Sequence, residues 1–143
     1  MRIDAETQSP EETTNIGAAF ASLIRQGDLI SLTGDLGAGK TKFVQGLAKG
    51  LGVTENITSP TFAIIKEYET GRLPLFHIDV YRLGGARDLE ELGYEDCFFA
   101  DGVTAIEWGD KVVELIPDNA LTIEMRRPRA GAGDENRRLL GFV

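Results

Sequence analysis

The sequence predicts an α/β fold: a mixed, mostly parallel sheet flanked by helices and built around a phosphate-binding loop. Three observations predict it. Short apolar runs of strand length alternate with segments of helical spacing. Two of the runs end on an acid, Asp79 in one and Glu107 in the other. A third run, 28–33, leads straight into Gly34-Asp35-Leu36-Gly37-Ala38-Gly39-Lys40-Thr41, which fits G-x-x-x-x-G-K-[ST] and points to the P-loop NTPase class. The 143 residues, 42% of them hydrophobic, suffice for one core, so the chain is read as a single domain, 1–143.

The elements follow in order. Ser9-Pro10-Glu11-Glu12 opens a helix, with Ser9 as cap, Pro10 in the first turn and Glu12 closing a capping box. Ile16, Phe20, Leu23 and Ile24 form its apolar face, and Gly27 ends it. The strand over 28–33 is bounded by Gly27 and Gly34. After the glycine loop, Phe43, Val44, Leu47, Ala48 and Leu51 recur at helical spacing, and Gly50 and Gly52 mark the stop. Pro60 makes 58–62 an extended loop. Strands over 62–69 and 73–80, joined by a turn at Thr70-Gly71-Arg72, read as a hairpin. A short helix over 87–99 is interrupted near Gly93. A strand over 102–107 precedes a short helix ending near Pro117, and strands over 119–125 and 137–143 complete the sheet. Residues 127–133 form a loop-like stretch of low complexity.

Strand, glycine loop, helix is the arrangement that holds phosphate. Glycines let backbone N–H groups turn inward around an anion, and the helix N-terminus adds partial positive charge. Gly34 to Thr41 are therefore the nucleotide-binding residues; Lys40 reaches the outer phosphates and the Thr41 hydroxyl can ligate Mg²⁺. In open α/β sheets ligands sit at the carboxyl ends of strands, so an acid ending an apolar strand is the natural metal partner. Asp79 fits that Walker B pattern best. Many ATPases carry a catalytic Glu directly after this Asp, but here the next residue is Val80. Glu107 is then the candidate to position or activate the attacking water, and it also stands among the possible metal ligands. Thr61 lies where nucleotide switches keep a threonine that senses Mg²⁺ and the γ-phosphate, although a plain turn threonine reads equally well. Trp108, the sole tryptophan, has two readings: beside the nucleotide base, or in the core.

Other residues read more plainly. His77 alternates into the Walker B strand as a structural histidine rather than a base. Cys97, beside Phe98 and Phe99, reads as buried and inert. Arg82 either steadies the charge of the site or pairs with Glu90 or Glu91. Asp88, Glu90, Glu91, Glu95 and Asp96 form a solvated acidic face that could also dock a partner. The formal charge of −8 argues against nonspecific binding to nucleic acid. A single cysteine excludes an internal disulfide and offers no zinc cluster. No apolar stretch reaches membrane-spanning length and no N-terminal signal pattern is present, so a soluble cytoplasmic protein without membrane contact is expected.

The order of these signals is more specific than any one of them. GDLGAGKT, TSPTF, HIDVYRL, ELGYED and IEWGD, in that sequence, resemble the TsaE (YjeE) family, small bacterial P-loop ATPases required to make threonylcarbamoyladenosine (t6A) in tRNA. The likeness runs from the first helix through Asp110. It implies a role in modifying adenosine 37 of tRNA, in company with TsaD, which transfers the threonylcarbamoyl group, and TsaB, which pairs with TsaD. ATP and Mg²⁺ are the implied cofactors, hydrolysis is implied to drive or reset the TsaB–TsaD complex, and tRNA is met only through that complex. Lys40 and Thr41 match the family's Walker A pair, Thr61 its switch-like threonine, Asp79 its Walker B aspartate, and Glu107 and Trp108 its Glu-Trp pair. Gly109-Asp110 stands where many members have Pro-Glu, a departure that bears on the local loop shape.

Three rival readings make different demands. A GTPase needs an N-K-x-D base-reading motif, and the sequence has none. A small-molecule kinase needs an acceptor pocket and an arginine-rich lid, for which Arg126 to Arg129 are the only hint. A nucleotide-gated binding module needs no efficient hydrolysis at all.

Overall fold

The computed structural model describes residues 2–35, 37–58, 65–98, 101–128 and 136–143, the side chain of Cys97 excepted. Seven strands form one mixed sheet in the order β1-β7-β6-β2-β5-β4-β3. They are β1 (Ile3–Thr7), β2 (Leu29–Gly34), β3 (Ile65–Tyr68), β4 (Leu75–Asp79), β5 (Val103–Glu107), β6 (Leu121–Arg126) and β7 (Arg138–Phe142). The parallel pairings lie at the centre, β6 with β2, β2 with β5 and β5 with β4. The edges are antiparallel: β3 on β4, as the hairpin reading requires, and β1 and β6 on either side of β7.

β2, β4 and β5 run in the same direction, so their carboxyl ends share one edge of the sheet. Buried on both faces, β5 and most of β2 and β4 are near-continuous apolar runs, the pattern of central parallel strands. One face is covered by α1 (Pro10–Phe20) and α2 (Lys40–Gly50). Ile30, Leu32, Phe43, Leu47 and Leu75 are fully buried there, each contributing about 1.5–3 kcal/mol. Phe20, Phe43 and Phe142 stack with ring centroids 5.5–6.2 Å apart. On the other face Ile78, Val80 and Ile106 pack with Leu89 and Val112. These come from α3 (Ala86–Glu91) and a 3-10 segment (Gly109–Leu115); α4 (Glu95–Phe98) follows α3 after a break at Gly93, whose φ is +75°.

Several details depart from the sequence reading. β1 was not foreseen. The first helix ends at Phe20 and tightens into a 3-10 turn, Ala21–Leu23, so Leu23, expected on the apolar face, is 70% exposed. Arg72 donates to the carbonyls of Ala21 and Ile24 at that helix end. The Ser9 hydroxyl accepts from the Glu12 N–H as expected, but the Glu12 carboxylate reaches the N–H of Gln8, one residue before the cap. The first part of the strand foreseen over 62–69 and the end of the helix over 87–99 lie outside the described residues, as does most of 127–133. Among the described residues no helix is long and apolar enough to cross a membrane.

Candidate active site

β2 ends at Gly34, and α2 begins at Lys40. The turn between them depends on glycine. Gly34 has φ +120°, and a Cβ there would lie 1.8 Å from the Met125 carbonyl oxygen of neighbouring β6. Gly39, the α2 N-cap, has φ +97° and no side chain to close off the free N–H groups of the helix. The loop is tied to β6 and the residues after it: Asp35 N–H donates to Met125 O at 3.2 Å, and Arg127 N–H donates to the Asp35 carboxylate at 3.2 Å.

Beside this loop opens a cavity of about 410 Å³, lined by Gly37 to Lys42, Asp79, Tyr81, Arg82, Glu107 and Trp108. Lys40 is 4% exposed, donates to the Asp35 carbonyl at 2.7 Å, and lies 3.9 Å over the Trp108 ring. Burial pushes its ammonium below the usual lysine range, while Glu107, Asp110, Asp35 and Asp79 pull the other way. The Thr41 hydroxyl is 3.1 Å from both oxygens of Glu107. Glu107 is itself 4% exposed, and its Oε2 lies 2.5 Å from Nε2 of His77. Asp79 stands opposite Glu107 in the register of β4 and β5, and its Oδ1 accepts from the Tyr81 N–H at 2.9 Å.

The structure thus brings together Lys40, Thr41, Asp79, Glu107 and Trp108 from the ends of two parallel strands, β4 and β5, and the N-terminus of α2. Trp108 is half-buried, touching the second core layer and lining the cavity. Leu36 and Thr61 lie outside the described residues. Arg82 lines the cavity and, among the described residues, makes no ion pair with Glu90 or Glu91. Asp88, Glu90, Glu91, Glu95 and Asp96 are all exposed.

The sequence reading overlooked Tyr81 and Lys111. The Tyr81 ring lies 4.9 Å from that of Trp108, and Lys111 donates to the Tyr81 carbonyl at 2.6 Å. An aromatic directly after the Walker B strand was the available signal for the first; nothing local marks the second.

A magnesium ion fits the chemistry of this donor set. A hydroxyl and carboxylates at the edge of a phosphate loop are hard oxygen ligands, and Mg²⁺ typically takes one or two such groups and completes its shell with phosphate and water. Among the described residues no three His, Cys, Asp or Glu side chains form a metal cage of their own.

The family model described as "Threonylcarbamoyl adenosine biosynthesis protein TsaE" matches residues 7–138. The chain belongs to the TsaE family. It is 45% identical over 133 residues to the tRNA threonylcarbamoyladenosine biosynthesis protein TsaE of Bacillus subtilis (strain 168), covering 93% of this chain and 80% of that one. Its identity to the TsaE of Treponema pallidum is 43% over 120 residues, 84% of this chain and 88% of the relative. The crystal structure of Bacillus subtilis YdiB superposes with a TM-score of 0.83 at 39% identity, spanning 99% of this chain and 84% of that one. The family's role is in t6A biosynthesis on tRNA, and its fold is that of a P-loop NTPase.

Proposed function

We propose that this chain is a Mg²⁺-dependent ATPase of the cytoplasm that drives or resets a TsaB–TsaD complex during t6A modification of adenosine 37, meeting tRNA only through that complex. The observation that carries the ATPase reading is the contact between Thr41, at the start of the P-loop helix, and Glu107, directly opposite Asp79. A Walker A hydroxyl, a Walker B carboxylate and a second, buried carboxylate then face one cavity.

In this reading the backbone N–H groups from Gly37 to Thr41 and the Lys40 ammonium bind the phosphates. Lys40 leaves the Asp35 carbonyl and the Trp108 face to do so. Thr41 and Asp79, together with Thr61, would hold Mg²⁺, which would supply positive charge to the phosphate oxygens. Glu107 orients a water whose oxygen attacks the γ-phosphorus as the bond to the β,γ-bridging oxygen breaks. The water proton passes to Glu107 and then to phosphate, leaving ADP and inorganic phosphate. Trp108 and Tyr81 form an aromatic wall beside the nucleotide.

Glu107→Ala tests this. Phosphate release in the presence of TsaB and TsaD should fall by about 10²-fold or more while ATP affinity changes little, because positioning a nucleophile acts mainly in the transition state. Multiple-turnover tRNA modification should stall with it. Near-normal turnover by the variant would remove Glu107 from the chemistry, and normal modification without any ATP hydrolysis would favour a nucleotide-gated binding module instead.

A further inference from the structure

We propose that His77 is a positioning residue for Glu107: its Nε2–H anchors Oε2 of the carboxylate and leaves Oε1 as the oxygen that faces the attacking water. The inference rests on the reading of Glu107 as the water-orienting acid.

His77 sits in the middle of β4, and strand alternation puts it on the same face as Leu75 and Asp79, turned toward α2. Glu107 ends β5, the next strand, on that same face. In the β4–β5 register His77 is opposite Ala105, so its partner lies diagonally, two residues further along β5. The small Ala105 side chain leaves the imidazole room to reach along the sheet. The resulting contact of 2.5 Å joins two side chains that are 0% and 5% exposed. The carboxylate is therefore held between the imidazole on one side and the Thr41 hydroxyl on the other.

The other ring nitrogen decides what His77 does. Nδ1 is buried and has no hydrogen-bond partner among the described residues. An ionised carboxylate offers only lone pairs, so the ring nitrogen 2.5 Å from it has to be the one that donates. The proton accordingly sits on Nε2, where a carboxylate oxygen accepts it. A histidine kept only to fill the core would gain nothing from this arrangement, since an apolar side chain of similar size would leave no unpaired nitrogen.

The bond has a consequence for the reaction. A metal would take a lone pair of the Thr41 oxygen and leave its O–H free to donate, so both anchors of the carboxylate are compatible with bound nucleotide. The His77 contact is the shorter of the two, at 2.5 Å to Oε2 against 3.1 Å from Thr41 to either oxygen, so it fixes which oxygen is held and which is left to the water. A misplacement of about 1 Å in a nucleophile-orienting group costs on the order of 10²-fold in rate.

The test uses the fact that His77 is the only histidine in the chain. In the intact protein labelled with ¹⁵N-histidine, the imidazole should show the Nε2–H tautomer, and Glu107→Ala should shift the Nε2 resonance. An Nδ1–H tautomer, or a spectrum indifferent to Glu107→Ala, overturns the proposal without any change at His77 itself. Kinetics supply the second arm, with TsaB and TsaD present. His77→Met, close in size but without a donor, should lower kcat by about 10- to 100-fold with KM for ATP within about threefold. His77→Gln, whose amide can donate from a similar place, should recover most of that loss. Adding His77→Met to Glu107→Ala should slow the reaction no further, because the two act as one unit. Wild-type kcat in a folded His77→Met, or full multiplicative loss in the double variant, overturns the proposal. Should Glu107→Ala alone keep normal turnover, the reading of Glu107 fails instead, a result separate from both arms on His77.

Discussion

Replacing Gly46 by alanine tests how the P-loop helix is seated. Gly46 lies in the interior of α2, where it faces α1. A Cβ at this position would come 1.9 Å from the Thr14 carbonyl oxygen, 2.7 Å from its carbon and 2.9 Å from Cα of Thr14. All three are backbone atoms, so no side-chain rotation relieves them. The same closeness recurs along the contact: a Cβ on Gly17 would meet Phe43 O at 2.4 Å, and one on Gly50 would meet Ala18 O at 2.4 Å. Glycine is there so that two helix backbones can touch.

At an exposed helix interior, glycine to alanine stabilises by about 1 kcal/mol. Here the oxygen must retreat from 1.9 Å to at least 3.4 Å before the contact becomes ordinary. Overpacking of this kind costs about 1–3 kcal/mol, and a backbone clash belongs at or above the upper end. The net effect is a loss of about 2 kcal/mol. At about 4 °C per kcal/mol for a chain of this size, Tm should fall by about 8 °C. Thermal unfolding followed by circular dichroism measures it. Lys49→Ala, exposed on the same helix, should stay within about 0.5 kcal/mol of the parent and controls for changes to α2 as such. A Gly46→Ala protein as stable as the parent, or more so, would refute the backbone contact and the role of glycine in it.

Asp79→Ala should weaken ADP or ATP binding in Mg²⁺ far more than in EDTA, whereas Lys40→Ala should nearly abolish binding in both; calorimetry in the two buffers distinguishes them. The fluorescence of Trp108, undiluted by any other tryptophan, should respond to ADP, and a flat titration at concentrations where calorimetry detects binding would remove Trp108 from the cavity wall. Lys40 makes stability depend on pH with a definite sign. Its folded-state pKa lies below 10.5, so between that value and 10.5 the unfolded chain binds more protons and stability rises with pH. Denaturant unfolding of the parent and of Lys40→Met across alkaline pH should show a smaller upward slope in the variant, and equal slopes would count against a buried, strained ammonium.

The parts of the site that were legible in the sequence are those whose signal is local. Gly34, Gly39, Lys40 and Thr41 carry fixed spacings that follow from wrapping a loop around a phosphate, and Asp79 and Glu107 each end an apolar run. The side chains' mutual contacts were not legible, because they depend on register. His77 and Glu107 are 30 positions apart and meet diagonally across two strands, a relation no window of sequence contains. β1 was missed for a different reason. Ile3, Ala5 and Thr7 alternate correctly, but Asp4 and Glu6 disfavour a strand, and the segment is decided by a partner, β7, more than a hundred residues away. Leu23 was assigned to the apolar face by extending a 3.6-residue period into what is a 3-10 turn, where each residue advances further around the axis and the side chain swings into solvent.

Trp108 shows how these local and distant terms combine. A residue continuing β5 would alternate onto the face opposite Glu107, into the second core layer. Trp108 instead adopts φ +64°, the positive value found among the described non-glycine residues, and the chain turns back toward the cavity. For a bulky side chain that conformation costs roughly 1–2 kcal/mol. Its backbone keeps both hydrogen bonds through the turn, donating to Leu32 O at 2.8 Å and accepting from Lys111 N–H at 3.0 Å, so no polar group is orphaned. Gly109 makes room for the turn against β2, since a Cβ there would sit 2.0 Å from the Ser31 hydroxyl and 3.1 Å from Ser31 Cβ. What remains to offset the strain is the ring itself. Lys40 lies 3.9 Å over one face, and a cation–π contact sheltered from water is worth about 2 kcal/mol, close to the backbone cost. The Tyr81 ring, 4.9 Å away, and the second core layer hold the indole as well, so the Lys40 contact is one of several terms that offset the strain. A phosphate that drew the ammonium off the ring would remove one of these terms and change the surroundings of the indole, so the tryptophan should respond at the phosphate end of the cavity even if no base stacks against it.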